Sequence, residues 1–187
     1  MQTIPLPDGG WLLLLEGFIR PAESAGLLER LITETRWAQK PGVFGHPQPR
    51  LTAAHGDAGM DYRYSGTSNP AAPWTETLLD LKARIEMVRG RYNFCLLNRY
   101  RSGADSVGWH ADDEPGLGET IASVSLGATR TFRIRHNTTR ETRSLPLADG
   151  TLLIMGGAMQ RFWKHSVPTT ARPVGERLNL TFGWREG

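Results

Sequence analysis

Downstream of Gly90 the chain breaks into short, strand-like runs, and this pattern limits the possible folds more than any other feature. The runs are 92–100, 120–126, 131–136, 143–147, 151–155, 162–167 and 178–184, punctuated by Gly, Asp and Pro. Runs of this length suit strands with a two-residue side-chain period. At this spacing they predict a double-sheet barrel or sandwich. Upstream, residues 11–15 predict a short strand. Pro21 opens a helix whose Leu27, Leu28, Leu31 and Ile32 share one apolar face. A second helix is predicted from Pro73, with Trp74, Leu78, Leu81, Ile85 and Val88 near helical spacing and Gly90 as its stop. Residues 38–59 lack a helical period and are rich in Gly, Pro and His, so they predict loops and short hairpins near the surface. The expected fold is an all-β core with two helices covering one outer face.

At 187 residues this is expected to be one domain, 1–187, with one core. A net charge of +3 and a pI near 9.3 mildly favour an anionic partner such as nucleic acid. Cys95 stands alone, so an internal disulfide is excluded, and its apolar flanks make it a small buried hydrophobe. Trp11 to Leu15 is too short for a secretory signal and lies between Asp8 and Glu16. No apolar stretch approaches membrane-spanning length. The expectation is a monomer in the cytoplasm, or in the nucleus of a eukaryote, with no membrane partner.

Within this scaffold, His110 and Asp112 are separated by one residue, and His165 follows much later beside Phe162 and Trp163. Residues i and i+2 of an extended chain point the same way, so His110 and Asp112 can address one ion from a strand end. Two imidazoles and a carboxylate hold one face of an Fe(II) ion and leave the other open for a bidentate cosubstrate and dioxygen. The same donors suit a hydrolytic zinc site, and an H-x-D pair alone also occurs in solvated turns. The flanks add weight to the iron reading. Arg177, Asn179 and Thr181 share one strand face, and a buried guanidinium requires an anion such as a carboxylate. Asn98 and Tyr100 share a face just before the metal segment, and both can donate to a bound carboxylate.

These residues lie in runs that resemble the AlkB family of Fe(II)/2-oxoglutarate-dependent nucleic-acid dealkylases. The runs are Asn98-Arg99-Tyr100, Gly108-Trp109-His110-Ala111-Asp112-Asp113-Glu114, Ile121 to Gly127, Leu152 to Met155, Trp163 to Pro168 and Arg177 to Phe182. The resemblance covers about residues 40–184. It implies a double-stranded β-helix, or jelly roll, with an N-terminal nucleotide-recognition lid over 38–70. It also implies His110, Asp112 and His165 as iron ligands, and Asn98, Tyr100, Arg177 and Asn179 as 2-oxoglutarate contacts. One position departs from the family pattern, which carries a second arginine six residues after the first. Here that residue is Gly183. Arg185 would share its face on a straight strand, about 7 Å further along, and is expected to help bind the cosubstrate.

The stretch 56–66 resembles the lid of the DNA-repair members. Tyr62 and Tyr64 would alternate onto one face and stack on a flipped, cationic methylated base. Asp113 and Glu114 match positions that support the ligands and contact the base, and Trp109 is grouped with this substrate-facing set. Val43-Phe44-Gly45 resembles the aromatic finger of members acting on duplex DNA, with Phe44 as a wedge that replaces lost stacking. Arg50 is expected at a phosphate or the gap in the duplex. Arg133 and Arg135 alternate along one strand face and would add salt-dependent backbone contacts.

The resemblance implies oxidative demethylation of 1-methyladenine and 3-methylcytosine in DNA, releasing formaldehyde, with succinate and CO2 formed from 2-oxoglutarate. Its rivals are an RNA or single-strand demethylase of the same chemistry, a protein hydroxylase, and a nucleic-acid binder that retains a catalytically weak jelly roll.

Overall fold

Two facing β-sheets enclose one apolar cluster, and a second lies between the larger sheet and the two helices that cover its outside. The computed structural model of the protein describes residues 1–42, 45–64 and 67–186, with backbone alone over 61–64 and 67–70. In chain order the elements are β1 (Gln2–Pro5), β2 (Gly10–Leu15), α1 (Pro21–Glu34), β3 (Leu51–Gly56), β4 (Asp61–Tyr64), β5 (Thr67–Pro70), β6 (Ala72–Pro73) and α2 (Glu76–Val88). Then follow β7 (Phe94–Tyr100), β8 (Val107–His110), β9 (Ile121–Gly127), β10 (Arg130–His136), β11 (Thr142–Leu147), β12 (Thr151–Gly157), the short α3 (Met159–Phe162), β13 (Trp163–Val167) and β14 (Arg177–Gly183).

The larger sheet has eight strands in the order β1-β2-β12-β9-β14-β7-β3-β6, and the smaller has four in the order β11-β10-β13-β8. Pairing is antiparallel except between β3 and β6. Alternation along each strand divides the interior. Leu178, Leu180 and Phe182 of β14 pack with Cys95 and Leu97 of β7 against Leu27, Leu31, Leu78, Leu81 and Ile85 of the helices. Between the sheets, Leu153 and Met155 of β12 meet Phe132 and Ile134 of β10 and Trp163 of β13. The intervening residues Arg177, Asn179 and Thr181 of β14, with Asn98 and Tyr100 of β7, therefore face into the space between the sheets.

Several boundaries differ from the sequence reading. Residues 51–56 are a sheet strand rather than a surface loop, paired from Leu51↔Arg99 to Gly56↔Phe94. The cross-strand partner supplies what this locally irregular sequence lacks, because sheet propensity depends on context. The second helix starts three residues later than Pro73, which belongs to β6. Thr75 caps it, with its side-chain oxygen accepting the Leu78 N–H at 3.2 Å. The run 162–167 begins with the last residue of α3. No helix among the described residues is long and apolar enough to cross a membrane.

Candidate functional site

The site is built where the small sheet meets the inner face of the large one. β8 and β13 pair with His110 opposite His165, so two imidazoles come from adjacent strands. Their ring centroids lie 4.2 Å apart. Asp112 follows directly beyond the end of β8, with its Oδ2 3.4 Å from Nε2 of His165. One donor atom from each of His110, Asp112 and His165 lies within 4.8 Å of the others.

Electrostatics prepare the three groups for a cation. The Nδ1 of His110 donates to the Gly108 carbonyl at 2.9 Å, because a carbonyl can only accept. Its Nε2 therefore carries the lone pair, as a metal ligand requires. Burial, reinforced by neighbouring His165 and opposed by Asp112, pushes His110 down from 6.5 to about 4, so the ring is neutral at physiological pH. Burial works to raise the Asp112 carboxyl, but the His165 hydrogen bond and the two imidazoles outweigh it and hold the carboxylate below its ordinary value. His165 is buried against Phe132, and its Nδ1 has no hydrogen-bond partner among the described residues. Two imidazoles with an ionised carboxylate fit a divalent ion.

The same cavity contains an incomplete anion site. Arg177 is 1% exposed, and its guanidinium carbon is 5.1 Å from the Tyr100 ring centroid. Nη2 donates to the Ser125 hydroxyl at 2.9 Å, while Nε and Nη1 have no partner among the described residues. A buried cation with two unused donors is costly unless an anion completes it. Burial also pushes its pKa down, with Tyr100 opposing and Arg130 reinforcing. Asn179 is fixed by its Nδ2 donating to Ser123 Oγ at 2.6 Å and by Thr181 Oγ1 donating to its Oδ1 at 3.1 Å. Asn98, Tyr100, Asn179 and Arg177 line one cavity with all three metal-binding candidates. A carboxylate at Arg177 and a chelating end at the metal would suit a short dicarboxylate oxoacid.

Other expected contacts lie elsewhere. Arg50 is 5% exposed, too buried for an open phosphate contact. Its Nε donates to Asn98 Oδ1 at 2.7 Å and its Nη1 to the Ser106 carbonyl at 3.4 Å, so it braces the cavity wall. Arg185 does not line the cavity. Its guanidinium pairs with Glu114, and its backbone N–H donates to Asn93 Oδ1 at 2.8 Å. Glu114 is thereby tied to the C-terminal segment, while Asp113 is exposed. Trp109 also stays out of the cavity, its ring centroid lying 5.5 Å and 4.3 Å from the Arg133 and Arg135 guanidinium carbons. It borders a neighbouring groove with His46, Gln48 and Arg50. Tyr62 and Tyr64 lie on β4, paired with β5, where alternate residues share a face. Their side chains, and all of Phe44, lie outside the described residues.

The structure adds Ser123 and Ser125, which orient Asn179 and Arg177. Two serines at i and i+2 inside an otherwise apolar strand were the available signal. It also explains Gly183. A Cβ there would stand 2.3 Å from Cζ and 2.6 Å from Cε1 of Phe94, its cross-strand partner. The aromatic ring fills the place a longer side chain at 183 would take.

A model of the 2OG-Fe(II) oxygenase superfamily matches residues 11–182. The chain is 44% identical over 185 residues to the rat protein "Alpha-ketoglutarate-dependent dioxygenase alkB homolog 3", covering 90% of this chain and 62% of that protein. It therefore spans less than two thirds of that relative. It is 33% identical over 215 residues to "DNA oxidative demethylase ALKBH2" of Arabidopsis thaliana, covering 97% of this chain and 68% of the relative. The solved structure of OsALKBH1 superposes with a TM-score of 0.64 at 22% identity, over 94% of this chain and 97% of the other. That match shows that the two chains share one fold.

Proposed function

The chain belongs to the 2OG-Fe(II) oxygenase superfamily, in its AlkB group, and from that membership we propose that it oxidatively demethylates N-alkylated bases in DNA. Fe(II) and 2-oxoglutarate are its cofactors. The observation that carries the proposal is the pairing, in one cavity, of a His-Asp-His triad with a buried guanidinium that has two donors to spare. A zinc hydrolase would have no use for that second half. Relatives bearing the names dioxygenase and DNA oxidative demethylase support a nucleic-acid substrate.

His110, Asp112 and His165 would hold the metal, and Nε and Nη1 of Arg177 would take the far carboxylate of 2-oxoglutarate. When bound, the pair of cofactors activates dioxygen and supplies the oxidising equivalent for hydroxylating an N-methyl carbon. The protein contributes position and shielding. Ser125 and Tyr100 fix the Arg177 fork, and Ser123 fixes Asn179. Leu96, Val107, Phe132, Met155 and Val167 form apolar wall around the polar groups and limit bulk water. The hydroxymethylated base then loses formaldehyde, and no side chain is required as a base for C–H cleavage.

The segment 38–70 serves as the nucleotide-recognition lid in this reading. Tyr62 and Tyr64 present rings to the flipped base, and Phe44 fills the gap left in the stack. 1-Methyladenine and 3-methylcytosine are the preferred lesions because a blocked Watson–Crick edge eases flipping. The chain works as a monomer wherever its nucleic acid is, in the cytoplasm or nucleus.

The test is a panel of methylated single-stranded DNA, duplex DNA and RNA with iron and 2-oxoglutarate. Formaldehyde and restored base should appear, and His165→Ala should abolish both. Full activity in that variant would refute the triad. Phe44→Ala should slow duplex repair more than single-strand repair, and an equal effect on both would remove the wedge. Faster turnover of RNA than of any DNA would move the assignment to an RNA demethylase.

A further inference from the structure

We propose that Gln160 is the positioning residue for Asp112, and this inference rests on reading His110, Asp112 and His165 as the metal site. β8 ends at His110, so Asp112 sits in a stretch with no strand partner, 111–114. Its backbone N–H instead donates to Oε1 of Gln160 at 3.0 Å. Gln160 is 8% exposed, and its Nε2 donates to Sδ of Met155 at 3.6 Å. Both ends of the amide are thus engaged, and turning it over would break both contacts. Met155 belongs to β12 and lines the metal cavity.

Gln160 lies in α3, which runs directly into β13, the strand that carries His165. One side chain therefore ties the Asp112 arm to the segment holding the third ligand and to the floor of the large sheet. Among the described residues, no side chain of β14 or of the segment after it does this. Residue 183 has no side chain, and the Phe94 ring fills the space beside it. Arg185 is engaged by Glu114. Among the described residues, the ion-pair partner of Asp112 is His165, with no arginine or lysine. A ligand on an unpaired loop, without a cation to orient its carboxylate, depends on whatever fixes its backbone.

The experiment is an anaerobic Mn(II) titration of the metal-free protein, followed by electron paramagnetic resonance without 2-oxoglutarate. Gln160→Leu keeps the bulk and removes the acceptor, and should weaken Mn(II) binding about 10-fold or more, the scale seen for groups that orient metal ligands. Gln160→Glu keeps an acceptor oxygen and should bind close to wild type. If wild type itself fails to bind Mn(II), the metal-site reading falls and this inference with it. If wild type binds and Gln160→Leu binds equally well, the inference alone is overturned, and a Glu variant as weak as the Leu variant overturns it too. Should Gln160→Leu not fold, amide exchange in the wild type decides. The Asp112 N–H should be protected although its stretch is irregular, and exchange as fast as that of exposed Asp113 overturns the proposal.

Discussion

Arg177 concentrates the physical tension of the site in one residue. It is buried with two unused donors, so the free protein carries an expensive cation whose hydrogen bonding is incomplete among the described residues. Arg177→Met should therefore leave thermal stability unchanged or raise it, while removing the stabilisation that added 2-oxoglutarate gives the wild type. Differential scanning fluorimetry with and without 2-oxoglutarate reads both, and a variant still stabilised by the ligand would show that the anchor lies elsewhere. His110 makes a separate prediction. Its folded value is depressed to about 4, so the unfolded chain takes up a proton first. The stability this provides is fully present above pH 6.5 and disappears as pH falls through about 4, worth at most about 3 kcal/mol and less for partial exposure. The depressed Asp112 carboxyl acts below that window, losing its contribution as pH falls through its own lowered value. Urea unfolding of the metal-free protein at pH 7 and pH 4.5 should differ, and His110→Gln should shrink the difference. A wild-type profile flat across that interval would contradict the neutral, half-buried imidazole. The alternation of Arg177 and Asn179, and of Asn98 and Tyr100, was legible in the sequence because strand period alone puts each pair on one face. The position of Arg50 was not, because its burial depends on β3 joining the sheet.

At the scale of elements, β7 and β14 run in register from Arg177↔Tyr100 to Gly183↔Phe94, and that register brings the cosubstrate candidates together. The end of the ladder is tightly filled. Gly183→Ala would drive a methyl into the Phe94 ring and should cost about 1–3 kcal/mol, as overpacking does. Adding Phe94→Leu should recover much of that loss, which denaturant unfolding of the single and double variants would measure. Full stability of Gly183→Ala alone would mean that the ring is free to leave. The later strands were readable because short alternating runs separated by turn residues carry their own signal. β3 was hidden because Leu51–Gly56 becomes a strand through pairing with β7, a contact from far along the chain. The link from Gln160 to Asp112 was equally invisible, since its ends are 48 positions apart with four strands between them.

For the whole molecule, the two-sheet architecture separates chemistry from attraction. The cavity lies between the sheets, and the outer face of the small sheet carries Arg133 and Arg135 over Trp109, with Lys164 opposite Arg135. None of these three cations has an ion-pair partner among the described residues. Oligonucleotide affinity should fall steeply with salt. Replacing Arg133 and Arg135 together by Ser should lower the logarithmic salt slope by about 2 if each meets one phosphate. Fluorescence anisotropy over a salt series measures this, and an unchanged slope would assign binding to another face. The assembly as a whole is tested most directly by product stoichiometry. With Fe(II), 2-oxoglutarate and dioxygen, an oligonucleotide carrying 1-methyladenine or 3-methylcytosine should yield formaldehyde, succinate and restored base in equal amounts. Succinate formed at the same rate with an unmethylated oligonucleotide, and no restored base with the methylated one, would contradict the proposed demethylation.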